Sequence, residues 1–251
     1  MTIQSEGDLI GLRTVGRVAA TALEAMRREV RPGISTRDLD EVAREVFRRH
    51  GARSAPQLVY NFPGTTCISV NDEVVHGIPG DRVLGPGDVV KLDVTAELGG
   101  YMADTACTVV VAGSGGLGAR LASCARSAFR QALAVAKADA PVSRVGSRVE
   151  AAVTGEGFRV IKNLCGHGIG RSIHEPPEVP NSYDPRMRDR FEDGMVVTIE
   201  PIIAAGDGRS FMDKDGWTVR TSDGSLAAHY EHTLVVTRGR PEILTALDLA
   251  A

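Results

Sequence analysis

Sulfur is scarce in this chain of 251 residues. Its four cysteines, Cys67, Cys107, Cys124 and Cys165, form no CxxC pair. That argues against a disulfide framework and a thiolate zinc site, and it points to a reducing cytoplasm. Aromatic side chains make up only 4% of the chain, and its single tryptophan, Trp217, is on its own more often a core residue than a pocket wall. No apolar run is long enough to span a membrane, and the opening MTIQSEGDLI lacks the basic stretch and apolar segment of a signal peptide. The net charge is −3 with acids and bases interspersed, so no electrostatic footprint for nucleic acid stands out. What is present, 43% hydrophobic and 24% charged residues, describes a globular protein with one or two packed cores.

The informative stretch is Gly87 to Val111, GDVVKLDVTAELGGYMADTACTVVV. It reads as strands Val89–Ala96 and Tyr101–Val111 joined at Gly99-Gly100, each carrying one aspartate among apolar neighbours. Alternation places Asp93 on the face of Lys91 and Thr95, with Val90, Leu92 and Val94 turned to a core. The pattern recurs: Gly194-Met195-Val196-Val197-Thr198-Ile199-Glu200 matches Gly87 to Asp93 position for position, so Glu200 falls on Asp93. The strand that follows also carries an acid in each copy, Asp104 before one valine run and Glu231 before the other. Pro32-Gly33-Ile34-Ser35 and Pro141-Val142-Ser143 open helices about a hundred residues apart. Two helix-helix-strand-strand halves, each offering a pair of acids to a shared interface, explain the repeat.

In chain order, residues 8–30 place Leu9, Leu12, Val15, Ala19, Ala22, Leu23 and Met26 at helical spacing, and a second helix, Arg37–His50, is capped by Ser35 or Thr36 and stopped by Gly51. Leu58–Tyr60 and Cys67–Val70 are expected as short strands. His76 stands where a strand gives way to a Gly/Pro loop. Gly113-Ser114-Gly115-Gly116 marks the boundary between halves. Helices over 117–138 and 144–156 follow, then strands Phe158–Asn163, Met195–Ile203, Trp217–Thr221 and Tyr230–Thr237.

The polar residues on strands or tight glycine loops are Asp93, Asp104, His167, Glu200 and Glu231, with His76 and His174 as further imidazoles. Four carboxylates and one histidine are oxygen-rich donors that suit a pair of divalent first-row cations. Asp104 and Glu231 are the natural bridges, leaving Asp93 to one ion and His167 with Glu200 to the other. Ions about 3.5–4 Å apart share a water, lower its pKa and polarise a carbonyl, which is hydrolytic equipment. Singly, a strand-end aspartate or a glycine-flanked histidine is more often structural. Four acids on facing strands, however, repel one another unless cations join them. Gly166-x-Gly168-x-Gly170 lacks the spacing and lysine of a phosphate loop.

The motifs VNDEVVHGIP (70–79), KLDVTAELGGYMADTA (91–106), CGHGIGRSIHEPP (165–177), TIEP (198–201) and GWTVRTSDGSLAAHYEHT (216–233), in this order, resemble the methionine aminopeptidases. The resemblance runs from about Leu9 to Thr237 and is to the short bacterial type I. It implies the α+β pita-bread fold, with helices outside an antiparallel sheet. It also implies one catalytic domain over 1–251 with pseudo-symmetric halves of about 8–112 and 117–238. By resemblance Asp93, Asp104, His167, Glu200 and Glu231 hold two divalent ions (Co, Mn, Fe or Zn). His76 and His174 contact the peptide, and Phe62, Cys67 and Trp217 line the methionine pocket. Ile173 stands where many relatives carry phenylalanine, and Tyr60 is the aromatic nearest to Phe62 on its N-terminal side. Only 32 residues separate His167 from Glu200, too few for the extra subdomain of the second type, and no zinc-binding extension precedes the first helix.

The implied activity is removal of the initiator methionine from nascent chains whose second residue is small and uncharged, through a water activated by the two ions, with Glu200 moving its proton. The expected setting is a cytoplasmic monomer in transient contact with the ribosome, with no membrane and no sequence-specific nucleic acid. Two alternatives share the fold. A proline-directed peptidase has a similar ligand set but usually adds a large N-terminal domain, and a non-enzymatic binding module would have lost ligands that are all present here.

Overall fold

Ser5 begins the first helix, α1 (Glu6–Glu29), because its side chain accepts a hydrogen bond from the Asp8 backbone N–H at 3.1 Å, satisfying a donor that the first turn leaves free. In this computed structural model, which describes residues 1–113 and 115–247, the stripe Leu12, Val15, Ala19, Ala22, Leu23 and Met26 is buried as expected. Helix α2 (Thr36–His50) starts from a capping box between Ser35 and Asp38 and stops at Gly51, whose φ of 67° is the left-handed conformation that glycine adopts without strain. Then come β1 (Arg53–Ser54), helix α3 (Ala55–Tyr60), β2 (Cys67–Val70), β3 (Glu73–Val75), β4 (Val89–Leu98) and β5 (Tyr101–Val110). The second half holds α4 (Gly116–Leu133), α5 (Ser143–Gly155), β6 (Arg159–Val160), β7 (Cys165–Gly168), β8 (Glu175–Pro180), β9 (Val196–Ile199) and β10 (Ile202–Ala204). It ends with β11 (Ser210–Met212), β12 (Val219–Thr221), β13 (Ala227–His229), β14 (Glu231–Val235) and β15 (Glu242–Ile243).

Every strand pairing is antiparallel. The main sheet runs β1-β4-β5-β14-β9-β7-β8, with β2 added to β4 and β15 to β14. Its centre, β5 beside β14, is where the two copies of the repeat meet: β4-β5 from one and β14-β9 from the other. Val90, Leu92, Val94 and Ala96 face a core with α1 and α2, whereas Val197 and Ile199 face a second core with α4 and α5. The helices therefore cover one face of the sheet, and the face carrying the acids is left for the site. Among the described residues no helix is long and apolar enough to cross a membrane.

Phe158–Asn163, expected as one strand, is only the short β6 followed by a turn, and three further expected elements differ. Leu58–Tyr60, expected as a strand, is the end of α3, because Ser54 caps that turn and Pro56 stands in its first positions, where a missing N–H costs nothing. Met195–Ile203 is two strands, since Pro201 has no N–H to continue the ladder. β9 stays in the main sheet and β10 leaves for a three-stranded sheet with β6 and β13. The helix expected over 117–138 ends at Leu133. Of the Gly113 to Gly116 linker, Ser114 lies outside the described residues.

Candidate active site

Register places the acids. Asp93 on β4 lies opposite Ala106 on β5, and Ala106 lies opposite Glu231 on β14, so two carboxylates flank one alanine across three strands. Asp104 is two residues back along β5 and shares that face. The Thr233 hydroxyl accepts from the Asp104 N–H and donates to the Asp104 carbonyl, both at 2.8 Å, which locks the central pair. From the other copy, Glu200 directly follows the end of β9, and β7 brings His167 alongside. Thr198 joins these two: its hydroxyl donates to Glu200 Oε1 at 2.9 Å and accepts from the His167 backbone N–H at 3.0 Å.

The close approach of β7 and β9 needs Gly166, since a Cβ there would lie 2.6 Å from the Thr198 carbonyl oxygen. Gly166→Ala is expected to destabilise the fold by about 1–3 kcal/mol, because backbone has to move to admit the methyl. A chemical denaturation curve checks this; a midpoint and slope equal to the wild type would disprove it.

His167 has its tautomer fixed. Its Nδ1 lies 2.9 Å from the Gly168 carbonyl, which can only accept, so Nδ1 carries the hydrogen and Nε2 offers a lone pair 3.5 Å from Glu200 Oε1. Burial, with His174 nearby, lowers the His167 imidazole to about 4. Burial also raises the carboxyl groups of Asp93, Glu200 and Glu231 well above their ordinary range, and the charge of Asp104 adds to each shift. Asp104 is raised less, because hydrogen bonds from Thr95 and Asp93 partly offset its burial. Asp104 Oδ1 and Glu231 Oε1 are buried without a hydrogen-bond partner among the described residues. Buried carboxylate oxygens with nothing to accept from are what a bound cation would satisfy, and oxygen donors with a neutral imidazole fit a divalent ion.

Two groups of ligand atoms lie within 4.8 Å of one another, Asp104 with His167 and Glu231, and Asp93 with His229 and Glu231. A cavity of about 110 Å³ collects all of these with Glu200, His76 and His174. A second cavity, of about 220 Å³, shares Asp93, Asp104, His76 and His174 with the first and is otherwise lined by Pro56, Tyr60, Phe62, Cys67, Thr95, Ile173 and Trp217. Phe62 and Trp217 meet edge to face, ring centres 5.1 Å apart. The expected pocket residues therefore stand together.

Residues 11–238 match the profile of metallopeptidase family M24. The sequence is 44% identical over 249 residues to methionine aminopeptidase 2 of Bacillus subtilis (strain 168), an alignment covering 98% of this chain and 100% of that protein. The chain belongs to the methionine aminopeptidases of family M24. The crystal structure of methionine aminopeptidase from Thermotoga maritima, 34% identical, matches it with a TM-score of 0.94 over 98% of this chain and 100% of that one. Prolidase from Pyrococcus furiosus shares the fold alone, at 20% identity and a TM-score of 0.78 over 98% of this chain and 66% of its own. The pita-bread fold is thus the fold observed.

Three features of this member of the methionine aminopeptidase family become visible only in the fold. Tyr60 is a hydrogen-bond partner of His174, its hydroxyl 2.7 Å from Nδ1, and it reaches there because α3 is helical. Asp40 on α2 accepts from the Thr65 and Thr66 backbone N–H groups at 3.0 and 2.7 Å, fixing the loop between Phe62 and Cys67. His229, buried beside Glu231, ends β13 and lies outside the expected strand Tyr230–Thr237, so strand alternation does not connect it to the acids.

Proposed function

We propose that this protein removes the N-terminal methionine from polypeptides whose second residue is small and uncharged. What carries the proposal is the common wall of the two cavities: a methionine side chain in the apolar cavity brings its scissile amide to His76, His174 and the acids. Phe62, Cys67 and Trp217 hold that side chain. Asp93, Asp104, His167, Glu200 and Glu231 would hold two divalent ions. The ions supply Lewis acidity, which lowers the pKa of water and polarises the amide carbonyl.

The chain's own residues do the rest. Glu200 takes a proton from the attacking water and returns it to the leaving amine. With the Tyr60 hydroxyl donating to Nδ1 of His174, Nε2 keeps its hydrogen and donates it to the carbonyl oxygen as negative charge develops there. His76 hydrogen-bonds the peptide beside the scissile bond. Its φ of 58°, unusual for histidine, aims the ring from the end of β3, and partial burial near His174 keeps it neutral by lowering it to about 4. The free amine of the substrate sits at the Asp93 end, which confines the reaction to chain ends. We place all of this in one type I catalytic domain, a cytoplasmic monomer that meets nascent chains by transient ribosome contact.

The deciding experiment is turnover of Met-Ala-Ser and Met-Lys-Ser by metal-stripped protein with Mn, Co, Fe or Zn restored. Cleavage of Met-Ala-Ser alone, and only with metal, is expected. Cleavage of Xaa-Pro peptides instead would move the chain to the proline-directed branch. For the pocket, Trp217→Ala is expected to raise KM for Met-Ala-Ser by about tenfold or more with kcat changed only a few-fold, since side-chain contacts act equally in ground and transition states. Steady-state kinetics decide it, and an unchanged KM would remove Trp217 from the pocket.

A further inference from the structure

His229 is fully enclosed, 2% exposed, and both of its ring nitrogens lack a hydrogen-bond partner among the described residues. A neutral imidazole carries one N–H and one lone pair, each costly to leave unmatched in a buried site, and an ion at Nε2 would match the lone pair. Nε2 points at the acids: it is 3.4 Å from Glu231 Oε2 and 3.7 Å from Glu200 Oε2. Two ligand atoms bound at about 2.1 Å to one ion, at angles of about 90–110°, stand roughly 3.0–3.4 Å apart. The Nε2 to Glu231 separation fits such an edge, and the 3.5 Å between His167 Nε2 and Glu200 Oε1 is similar.

We infer that His229 is a sixth protein ligand of the metal centre, joining Asp93 and Glu231, so that each ion has one imidazole. The inference rests on the dinuclear reading above. Thr108 on β5 fixes the His229 backbone at the end of β13, its hydroxyl accepting from the His229 N–H at 2.9 Å and donating to the His229 carbonyl at 2.8 Å. The added nitrogen shifts the Asp93 subsite from an all-oxygen set, suited to Mn, towards Co and Zn, which imidazole favours.

The test is metal binding to the stripped full-length protein, wild type against His229→Gln and His229→Ala, by calorimetry and by the visible spectrum of Co(II). In His229→Gln the expected result is a Co(II) affinity at one subsite at least about tenfold weaker, a change a metal partner's loss commonly brings. Mn(II) affinity should change less than about threefold, by the weaker preference of Mn for nitrogen. The Co(II) spectrum at that subsite should change in both variants, and added imidazole should restore it in His229→Ala, which a packing role would not allow. Unchanged Co(II) affinity and spectrum in both variants would overturn the assignment while leaving the dinuclear centre intact. Failure of the wild type to bind any divalent ion would instead overturn the centre, and His229 with it.

Discussion

Asp104→Ala is expected to reduce kcat/KM for Met-Ala-Ser by about 10³-fold or more, the scale on which loss of a preorganised electrostatic group in a buried site is felt. Asp104 lies between the two copies of the repeat. Its diagonal neighbour on β4 is Asp93, its backbone is locked to Thr233 on β14, and its Oδ1 is buried with no partner among the described residues. On the proposed reading, removing it takes a donor from the metal centre and leaves Asp93, Glu200 and Glu231 facing one another with less cationic compensation. Glu231→Ala should behave alike, because its carboxylate belongs to both ligand groups. Kinetics in metal-supplemented buffer, with bound metal counted in the same samples, make the test. If either variant kept activity within a few-fold of wild type at full metal content, a shared-carboxylate centre would be untenable.

These acids were readable from sequence because they ride on strands. A period of two fixes which face a residue takes, so Asp93 opposite a core-facing Val-Leu-Val set could be placed without coordinates. The internal repeat did the rest, since two copies joined about a central pair bring equivalent acids to one surface. Elements whose form depends on a cap or a missing N–H were harder. Leu58–Tyr60 has a strand-like composition, yet Ser54 and Pro56 turn it into a helix, and Tyr60 thereby reaches His174. Pro201 breaks what reads as one long apolar run, and that break sets Glu200 at a strand end. Asp40 gave no signal, being one acid of an amphipathic helix until the fold brings the Thr65 and Thr66 N–H groups to it.

The second large effect concerns pH. Burial, helped by mutual repulsion through Asp104, raises Asp93, Glu200 and Glu231 above the ordinary 3.8 and 4.5 of aspartate and glutamate, so the metal-free fold keeps protons that the unfolded chain has released. Stability rises with pH only where the unfolded state binds more protons, and here the folded state does. The metal-free protein is therefore most stabilised by these groups below their unfolded values, and that contribution is lost as pH rises through the elevated folded values. Metal reverses the trend, because the ligands bind it deprotonated and each displaced proton makes apparent affinity climb about tenfold per pH unit. At about 100 times its dissociation constant, a single ion adds about 2.7 kcal/mol to the folded state. For a chain of this length that amounts to roughly 5–10 °C in melting temperature. Melting curves of stripped and loaded protein from about pH 5 to pH 8 should diverge as pH rises. Calorimetry in buffers of different ionisation heat should show proton release on binding. Parallel curves with no proton release would mean that the acids are already ionised in the metal-free fold, leaving three or four like charges buried together. Without a cation among them, such a cluster would repel itself apart.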